Sequence, residues 1–100
     1  MSIPRYNLGE LKRLIENAKT RHITRSSVLD AGKIGYSDTE IINEVLSLKQ
    51  NEFYKSMKAE LKPGLWQDVY KPTRNGLKLY IKLQKSFDGK GVIISFKKAE

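Results

Sequence analysis

The spacing of apolar residues along the chain changes once, near residue 52. Before that point they recur at intervals of three and four: Leu8, Leu11, Ile15 and Ala18 in one stretch, and Ile41, Ile42, Val45, Leu46 and Leu48 in another. This is the repeat of a helix that buries one face. Asn7 followed by Glu10, and Ser37 followed by Glu40, have the form of a capping box and set the helix starts. A shorter helix is expected after Thr24, through SSVLDAG, ending between Gly32 and Gly35, where glycine accepts the left-handed backbone of a helix end.

From Glu52 onward the period shortens toward two. EFYKSMK, WQDVYK, LKLYIKLQKSF and VIISFK read as four strands. Pro63-Gly64, Asn75-Gly76 and Asp88-Gly89 supply turn chemistry between them, which predicts an antiparallel meander. Helices first and strands afterwards predict an α+β fold, an antiparallel sheet packed on one face by about three N-terminal helices. One domain, residues 1–100, is expected.

Alternation then sorts the strand residues by face. Leu77, Leu79, Ile81 and Leu83 should meet the helices, leaving Lys78, Tyr80, Lys82 and Gln84 on the other side. Val92, Ile94 and Phe96 alternate with Ile93, Ser95 and Lys97, so Lys97 should emerge away from the core. Gln67 shares its side with Val69 and Lys71, opposite Trp66, Asp68 and Tyr70. Lys55 does not fit, because parity groups it with Phe53 and Met57; a twist or bulge, or reach from the strand end, would bring it to the polar face. An antiparallel sheet ordinarily exposes one polar face, so the pattern alone marks a surface and not a reaction. Trp66 and Tyr70 either pack under the helices or stack on bases.

Charge gives that face a direction. Hydrophobic residues make up 39% of the chain and charged residues 30%, a balance that supports a folded globule. The formal net charge is +8. Residues 1–52 hold 8 Lys and Arg against 7 Asp and Glu, a net +1, whereas residues 53–100 hold 11 against 4, a net +7. The strand half therefore favours a polyanionic partner, RNA or an acidic protein. Cysteine is absent and His22 is the single histidine, which removes thiolate chemistry and the usual transition-metal ligands. No metal or cofactor is expected. His22 reads as a solvated histidine and Lys12-Arg13 as a solvated helix face. No apolar run approaches the ~20 residues of a membrane span, and MSIPRYNLGEL lacks a secretory core, so a cytoplasmic location is expected.

The series TRS, EFYKSM, WQDVYKP, YIK and ISFK resembles the MqsR family of bacterial toxins, over about Thr24 to Lys97, with EFYKSM and WQDVY the most specific segments. The resemblance implies a RelE-like ribonuclease fold in a type II toxin-antitoxin pair. It also implies cleavage of single-stranded mRNA at GCU-type sequences without the ribosome, and neutralisation by an MqsA-type antitoxin that binds zinc and DNA. Family site residues fall on Lys55, Gln67, Tyr80 and Lys97; Lys71, Lys78 and Lys82 of the polar sheet face are expected as further RNA contacts. The chemistry such residues can perform is attack by the RNA 2′-hydroxyl on the adjacent phosphate, which needs a base, cationic stabilisation and an acid, with no obligatory metal. A lysine serves as base only if its pKa falls from about 10.4 toward neutrality, and Lys55 among apolar neighbours is the first candidate. Phosphate binding without proton transfer is the other reading of each lysine. A non-catalytic basic RNA-binding module is the alternative for the whole protein.

Overall fold

The computed structural model describes residues 2–100. Helix α1, Leu8–Glu16, starts where Asn7 accepts a hydrogen bond from the Glu10 amide at 2.9 Å, and it buries Leu8, Leu11 and Ile15. It stops earlier than the periodicity suggests. Asn17 is extended, and Ala18 lies outside the helix and exposed. Helix α2, Arg25–Lys33, is capped by Thr24, and helix α3, Asp38–Leu46, by a complete Ser37–Glu40 capping box. Gly35, with φ of 86°, turns the chain between them.

The four expected strands form as β2 (Phe53–Lys58), β3 (Trp66–Tyr70), β5 (Leu77–Lys85) and β6 (Gly91–Lys98), and they pair antiparallel in that order. Two short strands join them. β1, Arg21–Ile23, pairs parallel with β6, and β4, Thr73–Arg74, folds back on β5. The sheet is therefore mixed, with spatial order β1-β6-β5-β3-β2. The β4–β5 turn is Asn75-Gly76, with φ of 52° and 79°, the pair of positive angles a two-residue hairpin turn requires.

The helices cover one face. Leu11, Ile15, Ala31, Ile41, Val45 and Leu48 meet Tyr70, Leu79, Ile81, Leu83, Ile93 and Phe96 in one buried cluster. Burial of each large aliphatic side chain contributes about 1.5–3 kcal/mol. Tyr70 thus belongs to the core and offers no stacking surface. Lys12 is also less free than its helix position suggests, since its ammonium donates to the Leu48 carbonyl at 2.5 Å.

Two bulges decide what the opposite face carries. In β2 the pairing steps from Phe53↔Tyr70 to Lys55↔Val69, so Tyr54 is an extra residue. Phe53 consequently turns inward against Tyr70, ring centroids 5.6 Å apart, while Lys55 and Met57 turn outward. In β6 the pairing steps from Lys82↔Ser95 to Leu83↔Ile93, which makes Ile94 the extra residue. This corrects the simple alternation of VIISFK. Ile93 and Phe96 are both in the core, and Val92 and Ile94 belong to the outer face with Lys97.

Polar anchors hold β2 and β3 in place. Arg74 donates from Nε to Glu44 at 2.6 Å and from Nη1 and Nη2 to the two oxygens of Glu52 at 2.7 and 3.2 Å, tying α3 and the short 3₁₀ helix Gln50–Glu52 to β4. The guanidinium keeps the Glu52 carboxyl below its ordinary pKa. Asp68, buried in β3, accepts from the Arg5 and Tyr6 amides at 3.0 and 2.9 Å, and so fastens the N-terminal segment across the strand.

Candidate active site

Cross-strand registers on the uncovered face bring the candidate residues into two adjoining depressions. The first, about 280 Å³, is lined by Lys55 from β2, Tyr80 from β5, Lys97 and Lys98 from β6, and by Tyr54, Lys71, Ala99 and Glu100. Tyr80 and Lys97 are direct cross-strand partners, and the Lys97 ammonium is 5.2 Å from the Tyr80 ring centre. Lys82, two residues along β5, approaches the same ring at 5.7 Å. On the other side, Lys71 sits 3.8 Å over the Tyr54 ring and Lys55 is 5.5 Å from it.

Among the described residues, ion pairs engage Lys33, Arg74 and Lys85 but not Lys55, Lys71, Lys82 or Lys97. Lysines outside any ion pair beside a tyrosine suit a phosphate, which Lys71 and Lys97 could bind as ammonium ions.

Gln67 lines the second depression, about 340 Å³, with Lys82, Gln84, Met57 and Ile94. Its Nε2 donates to Gln84 Oε1 at 3.0 Å. Lys82 stands on the wall of this cleft and also over Tyr80, linking the two depressions. Lys78 is not brought into either; it is exposed, paired with Thr73 of β4. His22 is exposed on β1 beside Val92, lining a further depression that shares Gln84 and Ile94 with the second.

Tyr54 and Gln84 were not singled out from the sequence. Gln84 had a signal, a second amide at an outward position one strand away from Gln67. Tyr54 had none, because nothing in EFYKSMK marks the bulge that exposes it.

The sequence profile of the family described as "Motility quorum-sensing regulator, toxin of MqsA" matches residues 3–98. The chain belongs to this family. The mRNA interferase toxin MqsR of Escherichia coli (strain K12) is 33% identical over 94 residues, which cover 94% of this chain and 93% of that protein. The match takes in all three helices and β1 through β6. The MqsR-family assignment therefore includes every element that contributes to the lysine-rich face.

Proposed function

We propose that this protein, an endoribonuclease toxin by family, cuts single-stranded messenger RNA at GCU-type sequences without the ribosome and without a metal. The observation that carries the reading is one depression that gathers Lys55, Lys71 and Lys97 with Tyr80, none of the three lysines held in an ion pair among the described residues. In the proposed reaction the scissile phosphate lies over Tyr80, its non-bridging oxygens held by Lys97 and Lys71. Lys55, in its neutral amine form, takes the proton of the 2′-hydroxyl, whose oxygen attacks phosphorus as the bond to the 5′-oxygen breaks. Tyr80 supplies a proton to that leaving oxygen. The products are a 2′,3′-cyclic phosphate and a 5′-hydroxyl, and atoms and charge balance without another reactant. Gln67, whose amide has no useful proton to give, positions the neighbouring nucleotide; Lys82 contacts the strand between it and Tyr80, and Lys78, on the other side of Tyr80 along β5, contacts the strand running the opposite way.

Cutting transcripts stops translation and growth, so a neutralising partner is required. Membership of a family described as a toxin of MqsA supports an MqsA-type antitoxin; zinc and DNA binding, in this proposal, reside in that partner. No helix of the described residues is long and apolar enough to cross a membrane. The proposed place of action is the cytoplasm, where transcripts are.

The test uses a purified GCU-containing transcript free of ribosomes, incubated with wild type and with Lys97→Ala. Wild type should cut it and the variant should cut far more slowly. Binding by wild type with no cleavage would leave only a basic RNA-binding module. Equal cleavage by the variant would remove Lys97 from the site.

A further inference from the structure

Phosphate chemistry leaves the second depression unexplained. It is about 340 Å³, inside the ~300–1,000 Å³ range of sites that take small organic groups. Gln84 is only 4% exposed although it sits on the outward side of β5, two residues from Lys82 and opposite Val92. A buried carboxamide costs stability unless its hydrogen bonds are made, and a leucine would fill the same space without that cost.

Its pairing is half complete. The Gln67 Nε2 to Gln84 Oε1 bond is the hydrogen bond found for either side chain among the described residues. It leaves the Gln84 amino group and the Gln67 carbonyl oxygen with capacity to spare. Turning both amides over still leaves one donor and one acceptor side by side. Neither atom is sealed from solvent. Such a pair is complementary to the Watson–Crick edge of an unstacked base, which also presents adjacent donors and acceptors. Met57 and Ile94 add apolar walls, and Leu61, 92% exposed, stands at the rim with nothing to cover.

We propose that the Gln67–Gln84 cleft is a base-selecting subsite. It takes the nucleobase next to the scissile phosphate, reads its edge with the two carboxamides, and is covered by Leu61 when filled. The placement follows from Lys82, which borders this cleft and also approaches Tyr80. The inference rests on the ribonuclease reading above and adds the residue that selects.

The experiment compares wild type with Gln84→Leu and Gln84→Glu in the full chain, each incubated with an RNA pool randomised around the cut site, with every cut end sequenced. Wild type should show a strong base preference next to the cut. Gln84→Leu should lose about tenfold or more of that preference at one position and keep it elsewhere. Gln84→Glu, which replaces a donor by a second acceptor, should shift the same position toward bases that present an amino group. Unchanged profiles in both variants, or a uniform fall at every sequence that follows a lowered melting temperature, would overturn the subsite. Wild type that cuts with no preference beside the cut would overturn it alone. Wild type that cuts nothing would overturn the ribonuclease reading as well.

Discussion

Lys55 is the residue whose role separates two chemistries. As a base it must lose a proton, and as a phosphate contact it must keep one. Arginine retains charge and cannot be deprotonated near neutral pH. Lys55→Arg is therefore expected to bind RNA about as wild type does and to cut it at least about a hundredfold more slowly, the usual scale for a lost general base. Near-normal cutting by the arginine variant would make Lys55 a phosphate contact. Gln67 makes a different prediction, because it is only partly buried and its one hydrogen bond is to Gln84. Gln67→Ala should reduce cleavage about tenfold or more, while the melting temperature moves by only a few degrees. Parallel losses of fold and activity would make it a structural residue.

At the scale of elements, the site depends on where strands begin and slip. Gly91 opens β6 against α1, and a methyl group there would meet Ile15 Cγ1 and Leu14 Cβ at 2.9 Å. Gly91→Ala should cost about 1–3 kcal/mol, read as a lower denaturation midpoint. The Arg74 cluster gives stability a pH dependence. Glu52 has its folded pKa lowered, first by the hydrogen bond from Arg74, so its contribution is present above the ordinary carboxyl value and is lost as pH falls through the folded one. Unfolding midpoints measured from pH 7 down to pH 3 should fall less steeply in Arg74→Met than in wild type. The faces of Gln67 and Tyr80 were legible because β3 and the first part of β5 alternate without interruption. Those of Lys55 and Ile94 were not, because a bulge is a slip of register against a neighbour, and the residues that slip are ordinary strand formers. β1 was missed for a related reason. Three residues are too few to show alternation, and its parallel partner lies at the other end of the chain.

For the molecule as a whole, labour is divided between the two faces of the sheet. Helices occupy one side of the sheet, and Lys55, Lys71, Lys82 and Lys97 stand on the other, outside the ion pairs that hold Arg74 and Lys85. RNA affinity should therefore fall with salt in proportion to the phosphates engaged. Replacing Lys71 and Lys82 by alanine should reduce the slope of log affinity against log salt by about 1.4, at roughly 0.7 per contact on a single strand. An unchanged slope would place the RNA elsewhere. On the proposed mechanism, this face cuts RNA through attack by the RNA's own 2′-hydroxyl. Mass analysis of the fragments from a defined GCU-containing RNA, cut in the presence of EDTA, tests it most directly. A 2′,3′-cyclic phosphate on one fragment and a 5′-hydroxyl on the other is the expected result, and cleavage abolished by EDTA, or ends carrying a 5′-phosphate, would contradict it.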